Sequence, residues 1–415
     1  EGRQMSRCRV GFCLSDKKRR RMNLDGFAEF CTIKCFLFLL QIDFTQPLEP
    51  QGPFDVIVHK LSDVIVEAEH DKQSKHKMCS RVMFQSYVSA HSKIVLLDPL
   101  PAMTQILDRF TSYRIMNWHI CSPPYLEVHS ASDMPSVQQK VMTQNLSFPL
   151  ICKTRVAHGS LSHEMSLIFS EASLSEIQPP CVLQSFVNHG AVLHKVFVVG
   201  ERHFCVERPS LKNFPTGPCD RKTIFFNSQQ VSKPESSSDL TAMDEQIPCL
   251  PPPSTEAVAA LVRELRVQLG MALFGVDVII NTQTYTLTVI DINVFPGEHS
   301  YSHSHTHTHT HTHTHTHTHT HTHTHTHTHS QIVQSVLVLL SGYDHTHTHT
   351  HTHTTQPDSP KCSCLLSGYD GVPQFFSSLL TLIESVLDKQ ASSAGSPDQM
   401  TKHQGATSTM GRDTM

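Results

Sequence analysis

The sequence predicts an α/β protein with two lobes and a low-complexity insert, and three observations carry this prediction. Short apolar strands alternate with helical segments over the first ~100 residues, which is typical of a small doubly wound lobe. From Phe148 onward the apolar segments come in pairs, as neighbouring antiparallel strands do. In two tracts between His303 and His353, histidine and threonine alternate, a composition typical of a disordered insert.

The predicted elements follow in chain order. The N-terminal lobe, residues 1–108, has predicted strands at Arg9–Leu14, Phe54–Lys60 and Lys93–Leu97, a basic turn at Lys17–Arg21, and a helix from Leu24 to Cys31. The second lobe, residues 109–297, has two strands flanking a polar loop after Lys153, a hairpin-like pair at Cys181–Val187 and Lys195–Gly200, and a helix at Thr255–Leu269. A closing helix is predicted within residues 368–390, and residues 391–415 form a disordered tail.

Composition narrows the class of protein. The chain has 415 residues and a net charge of −4, and its length suggests two or three domains. A single tryptophan and the lack of a basic excess argue against nucleic-acid binding. The apolar run Phe36–Leu40 is far too short to span a bilayer, so no membrane segment is expected. The scattered cysteines predict free thiols and a cytoplasmic location.

The histidine–threonine tracts, His303–His329 and His345–His353, have the pattern of a translated CA-dinucleotide repeat. The string Leu-Leu-Ser-Gly-Tyr-Asp occurs on both sides of the second tract, and only its second copy leads into an amphipathic helix, Phe375–Leu387. The simplest interpretation of residues 298–367 is therefore retained intron sequence or a gene-model error. A disordered surface insertion and a metal-binding histidine tract remain alternatives.

A hairpin near Gly275 carries the clearest chemical signal. Two apolar strands flank the short polar turn Asn281–Tyr285, and folding them together places Asp277 opposite Asp291. Asn293 shares the face of Asp291, because strand side chains repeat every second residue. Two carboxylates and an amide oxygen suit a hard cation such as Mg²⁺. The alternative is a strand end with solvated aspartates.

Cations form the second signal. Lys18, Lys153, Lys195 and Arg109 are each predicted at a strand end or the start of a loop, where they could bind phosphates. The loop after Lys153 mixes glycine, hydroxyl and histidine side chains, as a flexible cover over an anion would. It has neither the P-loop nor the dinucleotide-binding glycine pattern.

Four features follow one another along the chain: a strand that ends in Lys153, the polar loop after it, a second lysine (Lys195), and the hairpin that carries Asp277, Asp291 and Asn293, called here the metal hairpin. This order resembles the ATP-grasp fold, in which ATP lies between two lobes. The resemblance sharpens to the inositol 1,3,4-trisphosphate 5/6-kinase family through seven strings, which are Arg9–Lys18, His59–Asp63, Leu97–Pro101, Ile151–Gly159, Arg208–Asn213, Phe225–Ser228 and Val289–Asn293. The similarity runs from Arg9 to Gly297 and resumes at Gly368–Leu387. It implies a monomeric kinase that phosphorylates inositol polyphosphates with ATP and two Mg²⁺ ions.

The resemblance also implies a role for each matching residue. ATP would be bound by Arg109, Lys153, Gln184, Lys195, Ser210, Ser228 and Ser232. The inositol phosphate would be bound by Lys18, His163, Lys195 and Asn293. Magnesium would be held by Asp277, Asp291 and Asn293. The catalytic residues would be His163 and Lys195, with His163 the best candidate for assisting the attacking hydroxyl.

Three departures from the family pattern bear on this prediction. The stretch Thr32–Leu40 is unusually apolar where the family has a charged helix end. The segment between Arg109 and Ile120 is shorter than its family counterpart by roughly two helical turns, which is expected to disturb the placement of Arg109. The insert separates the metal hairpin from the closing helix. Three alternatives to the kinase stay open: another ATP-grasp ligase, an inactive product of a faulty gene model, and a histidine-rich metal buffer or scaffold.

Overall fold

The computed structural model describes residues 8–34, 37–62, 64–66, 75–233, 235–236, 238–242, 250–295 and 373–394. These residues belong to one compact unit comprising residues 1–301 and 367–415, and a second unit comprises residues 302–366. The predicted insert at 298–367 lies outside the described residues, as do residues 395–415 of the predicted tail. The proposed domain boundaries stay predictions.

A four-stranded parallel sheet forms the N-terminal lobe, in the order β2-β1-β3-β4. Its strands are β1 Cys8–Cys13, β2 Leu37–Gln41, β3 Val56–His59 and β4 Val95–Leu97. Its helices are α1 Asp16–Arg21, α2 Leu24–Lys34 and α3 Lys75–Ala90. Phe27 of α2 and Phe84 of α3 belong to separate hydrophobic clusters, each shared with the sheet. Helices therefore cover both faces, and the predicted doubly wound lobe is confirmed.

The structure differs from two local predictions in this lobe. The basic run Lys17–Arg21 lies in helix α1, not in a turn, because the Ser15 hydroxyl caps the helix by accepting the Lys18 backbone N–H at 3.3 Å. Strand β2 was not predicted. Apolar residues lie at both its half-buried and its exposed positions, with Phe38 45% and Leu40 38% exposed, so the alternation that indicates a strand is missing.

A five-stranded antiparallel sheet forms the middle of the chain, in the order β11-β7-β6-β8-β5. Helices α4 Leu100–Leu107 and α5 Arg109–His119 lead into it from β4. Its strands are β5 Tyr125–Val128, β6 Leu150–Thr154, β7 Glu164–Ile168, β8 Cys181–Ser185 and β11 Ile224–Asn227. The helices beside it are α6 Met134–Thr143 and α7 Ser228–Val231. The prediction of two strands around a polar loop is confirmed by β6 and β7.

A second antiparallel sheet has the order β10-β9-β12-β13. Its strands are β9 Val192–Val199, β10 Arg202–Pro209, β12 Leu273–Ile280 and β13 Leu287–Val294. Helix α8 spans Thr255–Leu269, as predicted, and ends at Gly270, whose φ of 62° is a conformation that glycine adopts without strain. The predicted pairing of Cys181–Val187 with Lys195–Gly200 is wrong. Strand β8 pairs with β5 and β6, whereas β9 pairs with β10 and β12, so the two segments lie in different sheets.

Helix α9, Pro373–Ala394, completes the N-terminal lobe and extends past the predicted end at residue 390. Phe375, Leu379 and Ile383 are buried in the cluster that also contains residues of β1 and α2. The rings of Phe27 and Phe376 lie 5.5 Å apart. The closing helix is therefore part of the core. Among the described helices, none is both long and apolar enough to cross a membrane.

Candidate active site

The metal hairpin is formed by β12 and β13, and the predicted pairing of Asp277 with Asp291 is confirmed. Asp277 pairs with Asp291, and Asn293 pairs with Gly275 two residues further along each strand. The register shifts between Asp277 and Val278, so Ile290 is the extra residue of a β-bulge. Bulges re-aim the side chains beside them, and this one lies next to Asp291.

Lys195 lies against the hairpin from the neighbouring strand β9. It pairs with Asp277 in the sheet register, and its Nζ is 3.2 Å from each carboxylate oxygen of Asp277. Both side chains are less than a fifth exposed. The prediction of Lys195 at a strand end is wrong, because it lies in the middle of β9. Its position inside the sheet fixes its backbone beside the carboxylate.

Arg109 approaches Asp291 from helix α5. Its Nη2 lies 3.5 Å from Asp291 Oδ2, and it donates to the backbone oxygens of Thr154 and Ser162 at 2.7 and 3.0 Å. Asp108 caps α5 by accepting the Phe110 N–H, and it is also bound by Arg155. The capped helix therefore fixes the backbone of Arg109, and the contacts with Thr154 and Ser162 fix its side chain. The expected disturbance of Arg109 by the short segment between Arg109 and Ile120 is not observed.

Lys153 lies on β6 and is 3% exposed. Its Nζ donates to the Tyr113 hydroxyl at 2.7 Å and to the Ile290 carbonyl oxygen at 2.9 Å. Burial lowers the pKa of Lys153 to about 8, although the negative charge of Asp291 opposes the shift. Gln184 on β8 completes this group, because its Oε1 accepts from the Tyr113 hydroxyl at 3.1 Å.

Sequence reasoning missed Tyr113, which is 1% exposed on helix α5. A tyrosine inside a helical segment is normally read as a core residue, so the local sequence carries no signal of a polar role. Burial raises its pKa well above the usual range, and the phenol stays protonated.

Ser210 is bound to a buried histidine. Its hydroxyl lies 2.7 Å from His189 Nε2, while His189 Nδ1 lies 2.7 Å from the Val187 carbonyl oxygen. Burial lowers the pKa of His189 to about 4, so the ring is neutral at pH 7. Nδ1 must then carry the proton that it donates to Val187, and Nε2 accepts from Ser210. Ser210 keeps its acceptor lone pairs for other partners.

His163 forms a separate group at the edge of the five-stranded sheet. Its Nδ1 lies 3.4 Å from the Ser228 hydroxyl and its Nε2 lies 2.8 Å from the Gln229 amide nitrogen. Ser232 follows helix α7, and its backbone N–H donates to the Ser228 carbonyl oxygen at 3.1 Å. The predicted residues His163, Ser228 and Ser232 thus cluster together.

Lys18 comes from the N-terminal lobe and reaches the end of β13. It is 4% exposed, and its Nζ lies 5.1 Å from the centre of the Phe295 ring. Phe295 is two residues beyond Asn293, so Lys18 and the metal hairpin converge. The Lys18 ammonium and the aromatic face attract each other electrostatically.

The donor set at the hairpin fits magnesium. Asp277 and Asp291 are paired across the two strands, Asn293 follows two residues along β13, and all three side chains offer oxygen ligands. Within the described ranges, no group of three histidine, cysteine, aspartate or glutamate side chains could hold a metal ion.

Comparisons with known proteins agree with this geometry. Residues 9–103 match the inositol 1,3,4-trisphosphate 5/6-kinase pre-ATP-grasp domain, and residues 115–313 match the inositol 1,3,4-trisphosphate 5/6-kinase ATP-grasp domain. Inositol-tetrakisphosphate 1-kinases from Danio rerio and Xenopus laevis are each 48% identical, over 70% of this chain and 74% of theirs. Inositol-tetrakisphosphate 1-kinase 3 of Oryza sativa subsp. indica is 34% identical over 69% of this chain and 77% of its own.

Among solved structures, the macrocyclase MdnC bound with its precursor peptide, from Microcystis aeruginosa, aligns with a TM-score of 0.44 and 11% identity, over 69% of this chain and 91% of that one. Since that score is below 0.5, the fold assignment rests on the two family matches. The sheets, the hairpin and the surrounding cations define an ATP-grasp enzyme of the kinase class. The chain belongs to the inositol 1,3,4-trisphosphate 5/6-kinase family.

Proposed function

We propose that this protein transfers a phosphoryl group from ATP to inositol polyphosphates. The proposed acceptors are inositol 3,4,5,6-tetrakisphosphate at position 1 and inositol 1,3,4-trisphosphate at positions 5 and 6. The names of its relatives and of its family support this substrate class. So do the four cations Lys18, Arg109, Lys153 and Lys195, since both substrates are polyanions.

The single observation that carries the proposal is the alternation of charge across the hairpin. Lys195 pairs with Asp277, and Arg109 lies beside Asp291, so two cations flank two adjacent carboxylates. A metal ion at the carboxylates would take over their charge. The ammonium and guanidinium groups would then be free to bind phosphate oxygens. Two polyphosphates that meet at the hairpin would therefore find compensating positive charge.

Magnesium would be held by Asp277, Asp291 and Asn293, and we propose two ions. When bound there, Mg²⁺ neutralises charge on the phosphates of ATP during transfer. The chain's own residues position the reactants. Arg109 and Lys153 would hold ATP phosphates, and Gln184, Ser210, Ser228 and Ser232 would bind the rest of the nucleotide. Lys18, His163, Lys195 and Asn293 would bind the inositol phosphate.

Phosphoryl transfer has a loose transition state, so positioning and charge neutralisation supply most of the acceleration. Lys195 fits this role, because its Nζ lies 3.2 Å from both carboxylate oxygens of the proposed metal ligand Asp277, where it could contact the transferring phosphoryl group. His163 would accept the proton of the attacking hydroxyl. Its two ring nitrogens lie beside Ser228 and Gln229, so one of these partners would have to move.

The proposal also covers the oligomeric state, the binding of nucleic acid and membranes, and the location in the cell. We propose a monomer that binds neither nucleic acid nor membranes and that acts in the cytoplasm. The free thiols of the described cysteines are compatible with that location.

The deciding experiment measures phosphate transfer from ATP–Mg²⁺ to inositol 1,3,4-trisphosphate by the full chain and by a version lacking residues 298–367. Transfer by both proteins supports the kinase and makes the insert a tolerated loop. Transfer by the shortened chain alone supports the kinase and identifies the insert as a transcript error. Transfer by neither, with both folded, contradicts the proposed function.

A further inference from the structure

A buried tyrosine hydroxyl joins four elements of the site. Tyr113 on α5 lies within hydrogen-bond distance of three polar atoms. These are Lys153 Nζ on β6 at 2.7 Å, Gln184 Oε1 on β8 at 3.1 Å and the Ile290 carbonyl oxygen on β13 at 3.1 Å. The two strands β6 and β8 belong to one sheet and β13 to the other, so the hydroxyl connects both halves of the ATP-grasp domain.

The hydrogen-bonding capacity of these groups fixes the direction of each bond. An ammonium group only donates, so Lys153 donates to the tyrosine oxygen. The phenol has one proton, for which Gln184 Oε1 and the Ile290 carbonyl oxygen compete at equal distance. The hydroxyl therefore links the lysine to either the amide side chain or the bulge.

Two donors remain unused on either side of this hydroxyl. Lys153 makes two hydrogen bonds among the described residues, to Tyr113 and Ile290, and so keeps one of its three N–H groups. Gln184 is 2% exposed, and its Nε2 is buried with no hydrogen-bond partner in the described part of the chain. A buried amide without a partner is unfavourable, and a ligand that accepts a hydrogen bond there relieves the cost.

The bulge at Ile290 adds a second fixed point. Ile290 is the extra residue of β13, directly before Asp291, and its carbonyl oxygen accepts from Lys153 and is one of the two acceptors within reach of the Tyr113 proton. The lysine is thereby tied to the strand that carries the metal ligands. The ring of Tyr113 is itself fixed, because it packs edge-on against Tyr125 with centroids 5.2 Å apart.

We propose that Tyr113 is a positioning residue for nucleotide binding, whose hydroxyl orients Lys153 and Gln184 so that their unused donors bind ATP. This inference rests on the proposed function, because it assumes that Lys153 and Gln184 contact the nucleotide. It assigns no contact with ATP to Tyr113 itself.

Tyr113→Phe tests the proposal, because it removes the hydroxyl and keeps the ring that packs on Tyr125. Tyr125→Phe is the matched control, since it removes a hydroxyl from the adjacent ring. The measurements are ADP–Mg²⁺ affinity by calorimetry, KM for ATP, KM for inositol 1,3,4-trisphosphate, and the midpoint of thermal unfolding. Tyr113→Phe should weaken ADP binding and raise KM for ATP about tenfold, the range expected for a lost hydrogen bond to a charged group. KM for the inositol phosphate and the unfolding midpoint should stay near those of the control.

A double-mutant cycle with Lys153→Met separates positioning from a general structural role. If Tyr113 acts through Lys153, Tyr113→Phe should change ADP affinity by less than threefold in the Lys153→Met background. A full tenfold loss in that background, and again in a Gln184→Leu background, would overturn the proposal. So would unchanged ADP affinity in the single Tyr113→Phe variant. A parent protein that binds no nucleotide would instead contradict the proposed function itself.

Discussion

The ammonium group of Lys195 lies 3.2 Å from both carboxylate oxygens of Asp277, on the strand next to the metal hairpin. A lysine in this place satisfies a carboxylate that would otherwise be partly buried without a counter-charge. The same lysine can turn to a phosphate when another cation neutralises Asp277. The pair therefore combines a structural contact with a group that ligands can displace.

Replacing Lys195 by alanine should affect the two substrates differently. We expect KM for inositol 1,3,4-trisphosphate to rise at least about tenfold, because a charge-assisted hydrogen bond to phosphate is lost. KM for ATP should rise by less than about threefold, because Arg109 and Lys153 remain. Steady-state kinetics of Lys195→Ala beside Lys140→Ala, a substitution on the exposed surface of α6, would measure the difference. A larger effect on ATP than on the inositol phosphate would contradict the role given to Lys195.

Asp291→Asn should abolish transfer and leave the fold intact. The amide occupies nearly the same volume but removes the negative charge that attracts Mg²⁺ and Arg109. We expect kcat to fall by about 10²–10³-fold, the range for losing one preorganised charge-stabilising group. Asp388→Asn, on the exposed side of α9, is the control. Turnover that persists with the parent protein's Mg²⁺ dependence would remove Asp291 from the metal site.

Asp98 should make stability depend on pH in a direction unusual for a carboxylate. It is 4% exposed, and burial raises its pKa to about 6 even though it accepts the backbone N–H groups of Ala272 and Leu273. The folded protein therefore binds a proton more tightly than the unfolded chain. The stability that this proton gives is present below about pH 4 and is lost as pH rises through 6.

Asp98→Asn should remove this dependence, because the amide does not ionise. Between pH 4 and 7, the stability of the parent protein relative to Asp98→Asn should fall by about 2–3 kcal/mol. Urea unfolding of both proteins at several pH values gives the comparison, and the other titrating groups cancel in the difference. Two parallel stability curves would show that Asp98 has an ordinary pKa.

Removing residues 298–367 should stabilise the fold. Phe295 at the end of β13 and Phe375 at the start of α9 are buried in one cluster, so the intervening chain forms a closed loop. Shortening that loop about tenfold lowers its closure cost by about 2 kcal/mol. Thermal unfolding of the full and shortened chains should show the higher midpoint in the shortened one. Equal midpoints would mean that the long loop carries no such cost.

The sequence predicts well where the signal is local. Helix α8 has an N-capping Ser254 and a terminal Gly270, and its predicted bounds match the observed ones. The pairing of Asp277 with Asp291 depends in addition on the bulge at Ile290, because the pairs nearest the turn, such as Ile280 with Leu287, would place Asp277 opposite Ile290. Strands β8 and β9 could not be assigned in this way. Contacts between residues distant in sequence decide which strands pair, and β8 and β9 belong to different sheets.

In the candidate active site, too, the residues could be predicted from local sequence, whereas their contacts could not. Asp277, Asp291, Lys195 and Arg109 could be listed from the sequence, but their contacts depend on four elements, β12, β13, β9 and α5, that meet only in the fold. Tyr113 was missed because a buried aromatic residue in a helix gives no sign of its polar neighbours. The Ile290 bulge was missed because one extra residue in a strand leaves the apolar pattern unchanged.

Helix α9 covers a face of the N-terminal sheet, although hundreds of residues separate it from that sheet in the chain. During synthesis on the ribosome, β1, β3 and α2 emerge long before Phe376, Leu379 and Ile383 can reach them. Until α9 is synthesised, the face of the N-terminal sheet that it covers stays exposed to water, which makes the nascent lobe a candidate for chaperone binding. Every residue inserted between Phe295 and α9 lengthens the time for which this apolar face is exposed during synthesis. An insertion there therefore prolongs exposure as well as raising the free energy of loop closure.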